Sequence, residues 1–346
     1  MEKHNLEKSI LVTVVMAVYN ASRTLSRAIE SVRKQTYTGW LMICVNDGST
    51  DDSLEILYEY ARKDARITVL TQENGGPASA RAKAYERVTT PYVTNLDADD
   101  LYSPDMLKCL VEKAQQTDAD IVIPNCRCEQ SDGSYMDWNA SYGWDEGMEL
   151  TGKECFSKTF ITPTIHGINM WKTSLVKQFA LGNNADYNKM NADEYIQRLL
   201  FLNSKKVVFS GGIYFYKCNQ TSITKGFSIR QLGYLDSCRK FIGLIEEYHL
   251  DEPIASIIKE YYFRHIIHLQ IRFFKESECL SQEERLTMRR NLKEAYKEAL
   301  SYKNCFYFRE KSFSKVYRYA SVSGYWIFCM TCFLLAMYQK YKKQND

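Results

Sequence analysis

The 346-residue sequence predicts an α/β fold: a mostly parallel sheet sandwiched by helices, with a helical C-terminal extension. Three observations predict it. Strand-like and helix-like segments alternate through the first hundred residues, the order that builds a parallel sheet covered on both faces. The strand-like segments run into polar turns rich in Gly, Asn and Asp, which is where such sheets bind ligands. From about residue 226 the alternation gives way to long amphipathic segments. The expected organisation is therefore 1–225 as an α/β domain and 226–346 as a helical region with an apolar, basic-flanked tail.

Each element has a local reason. Ile10–Val18 is a short apolar run ending in Tyr19-Asn20 and reads as a buried strand, not a cleavable leader. Ala21–Gln35 places Leu25, Ala28, Ile29 and Val32 at helical spacing, with Ser22 as the expected N-cap. Trp40–Val45 is a second strand. It ends at Asn46-Asp-Gly-Ser-Thr-Asp-Asp52, a turn and helix-start signal in one. Ser53–Ala65 is helical and Ile67–Leu70 a third strand. Glu73-Asn-Gly-Gly-Pro77 is a loop, Ala78–Val88 a helix, and Pro91–Leu96 a fourth strand. Beyond it, Ser103-Pro-Asp105 starts a helix and Asp120–Pro124 is a strand. Residues 129–150 read as a loop or hairpin, Ala192–Leu202 as a helix, and Lys206–Ser210 and Ile213–Lys217 as two strands. Ile254–Glu276 and Gln282–Leu300 are long helices.

The bulk numbers exclude several classes. A net charge of +3 gives no reason to expect a nucleic-acid partner. The 11 cysteines form no zinc-type spacing, and Cys126-Arg-Cys128 is too close for a regular metal site, so free thiols in a reducing compartment are expected. Tyr325–Tyr338 carries no charge but is shorter than the ~20 apolar residues of a spanning helix. Arg309, Lys311, Lys315 and Arg318 precede it, and Lys340, Lys342 and Lys343 follow. Two readings stay open for it: peripheral contact with anionic lipid on the inner face of the cell membrane, or packing on the protein. The expected location is cytoplasmic, on either reading.

Asn95-Leu-Asp-Ala-Asp-Asp100 concentrates the chemistry. Carboxylates at a rigid strand end are hard oxygen ligands, suited to Mg²⁺ or Mn²⁺ holding a diphosphate. Asp47, the Gly75-Gly76 loop and Asp97–Asp100 should meet at one sheet edge.

In that order and spacing the chain resembles the family 2 glycosyltransferases of the GT-A fold. The resemblance rests on Val18-Tyr19-Asn20, Val45–Asp51, Asn74–Pro77 with Ala80-Arg81, and Leu96–Asp100. Ala192–Tyr195 with Arg198–Leu200, and Tyr214–Tyr216 followed by Ser222-Ile-Thr224, complete it. The resemblance implies an inverting transferase that moves a sugar from a nucleotide-sugar to a glycan or lipid-linked hydroxyl. It implies Asp47 on the imide N–H of a uracil, with Ala17, Val18 and Tyr19 around the base and Arg81 reaching base or phosphates. It implies Asp97 and Ala98 beside the ribose and metal, and Asp99 as metal ligand. Asp100 is expected to cap the next helix. Asp193 is the candidate base and Glu194 its rival; where relatives show Glu-Asp, this chain has Ala192-Asp193-Glu194. Asn219 and Gln220 stand where many relatives carry a His, and His166 is a candidate substitute. His265 and His268, three apart on one helix, are expected to pack. Two other readings are a non-catalytic nucleotide-sugar-binding relative and a sugar nucleotidyltransferase, though residues 17–35 lack the latter's Gly-rich, basic signature.

Overall fold

The computed structural model describes residues 11–161, 164–181, 192–217, 226–302 and 324–345. Asn219, Gln220, Ser222–Thr224, Arg309, Lys311, Lys315 and Arg318 lie outside the described residues. The chain forms two compact units that divide after Gln220.

The first unit is built on a sheet of ten strands: β1 (Val12–Val18), β2 (Trp40–Asp47), β3 (Ile67–Gln72), β4 (Tyr92–Asn95), β5 (Leu101–Tyr102), β6 (Ile121–Glu129), β7 (Tyr135–Asp137), β8 (Glu149–Leu150), β9 (Met170–Lys172) and β10 (Val207–Tyr216). The order is β3-β2-β1-β4-β9-β6-β10-β5, with β7 paired to β6 and β8 to β10. β3, β2, β1 and β4 are mutually parallel, as are β6 and β10. β9 runs antiparallel between the two parallel sets. This is the mostly parallel, helix-covered sheet that the sequence predicts.

Register places the site. Val18 lies opposite Asn46, and Asp47 opposite Gln72, so β1, β2 and β3 end level. β4 ends at Asn95 opposite Val15, which delivers the Asp97–Asp99 turn to the same edge. The helix Leu25–Arg33 buries Leu25, Ala28, Ile29 and Val32 against this sheet, each worth roughly 1.5–3 kcal/mol for the large side chains. Pro77 opens the helix Pro77–Arg87, where its missing N–H costs nothing.

Several expectations are corrected. Val207–Tyr216 is one strand, not two; Gly211 and Gly212 sit in a register shift between Phe209 and Ile213 that does not break it. Ser22 caps no helix: its amide donates to Asp51 Oδ2 (3.0 Å), and the helix begins later, after Thr24. Asp100 caps no helix either. Asp105 holds the N-cap position of Met106–Thr117, and Asp100 is buried beneath Tyr214 and Lys217. β5 and β9 escape sequence reading because two or three residues carry no periodicity.

The second unit is helical: Gly233–Glu247, Ile254–Glu276, Gln282–Leu300 and Tyr325–Asn345. Ser281 and Glu284 form a reciprocal capping box at the start of the third. Its core includes Tyr262, Phe263, Ile266, Met288, Leu292, Tyr296 and Phe328. His265 packs against Tyr261 and Tyr234 in this unit, while His268 is exposed.

Candidate active site

The ends of β1 and β2 are stitched together by backbone-to-side-chain bonds. Asn20, in a left-handed conformation, accepts from the Thr50 amide at 2.8 Å, and its own amide donates to Ser49 Oγ at 3.1 Å. The Ala21 amide donates to Ser53 Oγ at 2.9 Å. The shelf that results presents Tyr19, 47% exposed, above a fully buried Val18 and a partly buried Ala17. An aromatic ring left half in water at a strand end offers a stacking surface for a base.

Asp47 is 2% exposed yet well supplied with donors. Gln72 Nε2 and the Gly75 amide donate to Oδ1, and the Gly76 amide to Oδ2, each at 2.8 Å. Its structural task is thus to hold the loop before Pro77, rather than to cap the helix that follows β2. Close approach explains the glycine beside it: at Gly48 (φ +71°) a Cβ would lie 2.9 Å from the Asn74 nitrogen.

Arg81 links the two acidic elements. Its guanidinium donates to Asp97 Oδ1 at 2.6 Å and lies 3.8 Å from Asp193 Oδ2. Burial alone would weaken its charge, but the Asp97 and Asp193 carboxylates outweigh it and hold Arg81 charged. Beneath them, the Tyr214 hydroxyl donates to Asp100 Oδ2 (2.7 Å) and accepts the Asp97 amide (3.2 Å). The Lys217 amide donates to Asp100 Oδ1 at 2.7 Å. Burial, with Asp97 alongside, raises the Asp100 carboxyl to about 8. Asp100 thus braces the turn from which Asp97 and Asp99 emerge.

Asp97 and Asp99 are both partly exposed. Among the described residues no group of three or more His, Cys, Asp or Glu forms a closed metal site. Two carboxylates at an open edge fit a cation of the Mg²⁺ or Mn²⁺ type, which keeps only one or two protein carboxylates and fills its shell with phosphate and water.

Asp193 and Glu194, at the start of Ala192–Leu202, have different fates. Glu194 Oε1 pairs with Arg198, whose guanidinium is 4% exposed and also donates to Thr159 Oγ1 and its carbonyl, each at 2.9 Å. Asp193 is 50% exposed and faces Arg81. Both line a cavity of roughly 500 Å³ with Arg81, Asp97, Tyr216 and Trp138. The Trp138 and Trp144 indoles both donate to the Thr164 carbonyl, at 2.8 and 2.9 Å, fixing the wall that follows the β6–β7 hairpin. Sequence reasoning assigned no role to Tyr214 or to Trp138, both of which line the cavity. Only Tyr214 carried a usable signal, as part of the Tyr-Phe-Tyr motif.

His166 also lines the cavity, but both ring nitrogens are engaged: Nε2 donates to the Pro124 carbonyl (3.0 Å) and Nδ1 accepts the Ile168 amide (3.3 Å). It offers no free nitrogen to a metal or phosphate. Burial lowers it from 6.5 to about 4. Unfolded, the imidazole protonates near 6.5; folded, it resists down to about 4. The contribution of neutral His166 is therefore complete above pH 6.5 and is lost as pH falls toward 4, by roughly 3 kcal/mol in total. Urea midpoints at pH 7 and pH 4.5 are expected to differ less in His166→Gln than in the wild type; equal differences would contradict this.

Comparison with known proteins follows the same lines. A family model described as "Glycosyl transferase family 2" matches residues 13–182. The glycosyltransferase GlyG of Streptococcus pneumoniae is 31% identical over 235 residues, covering 63% of this chain and 74% of its own length. GlyA of the same organism is 30% identical over 265 residues; the match covers 70% of this chain but only 36% of GlyA. Among solved structures, S. aureus TarS 1–349 in complex with UDP-GlcNAc superposes with a TM-score of 0.70 at 17% identity, over 96% of this chain and 92% of TarS 1–349. A mannosyltransferase from Pyrobaculum calidifontis, in complex with GDP-Man and Mn²⁺, reaches 0.52 at 16% identity, over 84% and 86%. At such identities the structural likeness concerns the fold.

Proposed function

Because this chain belongs to glycosyl transferase family 2, we propose that it is an inverting, metal-dependent transferase moving a sugar from a UDP-sugar to a hydroxyl of a glycan or lipid-linked acceptor. Bacterial surface polysaccharide is the proposed setting, supported by the similarity to TuaG of Bacillus subtilis, which is described as a putative teichuronic acid biosynthesis glycosyltransferase. One observation carries the reading: Asp97 and Asp193 converge on Arg81 and open into a single cavity.

The proposed roles are those the family resemblance implies, and the geometry is compatible with them. Tyr19 stacks on the base while Ala17 and Val18 close the pocket. The Asp47 carboxylate has about four lone-pair positions and spends three, leaving one acceptor site for an imide N–H. Asp97 and Ala98 border the ribose. Asp97 and Asp99 would hold a divalent cation, which when bound neutralises charge on the diphosphate. Arg81 adds positive charge on the same side. Asp193 takes the proton from the acceptor hydroxyl as its oxygen attacks the anomeric carbon from the face opposite the diphosphate.

The test is a panel of nucleotide-sugars with Mn²⁺ or Mg²⁺. A UDP-sugar preference, with turnover lost in Asp99→Asn, supports the proposal. A GDP-sugar preference would contradict the role of Asp47; full turnover of Asp99→Asn would remove it from the metal site.

We also propose contact with an anionic membrane surface through Tyr325–Asn345. No helix among the described residues is long and apolar enough to cross a membrane. This one buries Phe328, Cys332 and Ala336 in the helical core, so the packing reading of the tail holds for that face. The opposite face leaves Trp326 85% exposed, with Met330, Phe333, Leu334, Met337 and Tyr341 also exposed. An exposed apolar stripe followed by Lys340 and Lys342 suits an anionic bilayer interface, at the inner face of the cell membrane. Full-length protein is expected to float with vesicles containing anionic lipid, and Trp326→Ser/Phe333→Ser to float much less. Equal flotation would end the idea.

A further inference from the structure

We propose that Cys126 and Cys128 form a binding site for a soft divalent cation of the zinc class, inside the proposed catalytic cavity. Side chains two apart on β6 share one face, and both cysteines line the cavity, Cys126 nearly buried at its edge and Cys128 half-buried. On the adjoining strand Tyr214 lies opposite Cys126 and Tyr216 opposite Cys128, so the floor here is two thiols and two phenols. The sulfur atoms are 3.8 Å apart, joined by no disulfide and sharing a thiol–thiol hydrogen bond. A tetrahedral zinc ion with Zn–S bonds of about 2.3 Å needs sulfurs about 3.8 Å apart. The pair therefore already has the bite of a two-thiolate clamp.

Two ligands leave the remaining positions of the ion open to the cavity. Chemical softness separates this clamp from the carboxylate edge: thiolates select zinc-class ions, whereas Asp97 and Asp99 suit Mg²⁺ or Mn²⁺. Each thiol releases a proton as its sulfur binds the cation, so affinity rises with pH. An occupied clamp takes space from the acceptor side of the cavity, making zinc an inhibitor distinct from the metal that supports transfer.

The experiment uses the full chain, reduced, with saturating Mg²⁺ to fill the carboxylate edge. Co²⁺ is titrated and thiolate-to-cobalt charge-transfer absorption followed; Zn²⁺ is then added to displace it and its affinity measured by calorimetry. The absorption is expected in the wild type and in Asp99→Asn. Cys126→Ser and Cys128→Ser should each weaken Zn²⁺ by about 10-fold or more, the scale on which altered ligand environments act, and the double variant should show no absorption. Zn²⁺ inhibition of transfer should fade in the double variant, with folding checked by circular dichroism. No absorption in the wild type, or undiminished absorption in a folded double variant, would overturn the proposal. The optical signal is independent of turnover, so its failure is separable from failure of the transferase reading.

Discussion

Asp193→Asn is expected to lower kcat by about 10²- to 10⁴-fold, the usual contribution of a general base. Donor affinity should change little if the proposed roles hold, because Asp193 stands opposite Arg81 and away from the Tyr19 and Asp47 strand ends proposed to take the nucleotide. The substitution keeps size and polarity but removes the proton acceptor. Glu194→Gln should behave in the opposite manner. Its carboxylate pairs with Arg198, a side chain 4% exposed that also bonds Thr159. Removing that charge weakens the pairing of buried Arg198 and should cost stability, roughly 2 kcal/mol given the partly exposed glutamate, while kcat changes modestly. Steady-state kinetics and urea unfolding on both variants separate base from brace. If Asp193→Asn turned over normally, the base assignment would be lost, and a donor-binding protein without turnover would gain support only if the wild type itself proved inactive.

The second large effect is expected at Asp47→Ala. Three donors converge on that buried carboxylate, two of them backbone amides of the Gly75-Gly76 loop. Leaving these partly buried amides without their carboxylate partner costs at most about 1–3 kcal/mol each. Water entering the vacated space recovers part of this, so a net loss of roughly 2–4 kcal/mol is expected. Nucleotide affinity should fall with it, since the loop lies beside the base shelf. Asp47→Asn keeps one acceptor oxygen and should retain more stability than Ala, yet lose affinity for uridine-type nucleotides. Calorimetric UDP binding checks this; undiminished binding to Asp47→Asn would place the base elsewhere.

Much of the parallel half of the fold was legible because its signals are local. Apolar runs ending at Tyr19 and Asp47 and the β-prone Tyr-Val-Thr before Asn95 mark strands, and the spacing of Leu25, Ala28, Ile29 and Val32 marks a helix. The carboxylates also announced themselves, because strand-end aspartates in alternating α/β order fall on one edge. What could not be read depends on partners remote in sequence. Asp100 looked like a cap because caps are local; its actual partners are Tyr214 and the Lys217 amide, over a hundred residues away. The sequence predicts a strand that stops at Pro124; only the longer strand of the structure, Ile121–Glu129, puts Cys126 and Cys128 on one face. Short β5 and β9 owe their existence to the strands beside them.

By itself the sequence determined the α/β alternation, the motifs that place the chain in its family, and the acids and glycines available for chemistry. Hydrophobic period and turn chemistry act within a few residues, so they survive without a fold. Tertiary structure decided how those acids are used: Asp193 faces Arg81 at the cavity, Glu194 is tied to buried Arg198, and Asp100 is buried as a brace. That division rests on burial and on hydrogen bonds between distant segments, which turn chemically equivalent carboxylates into unlike groups.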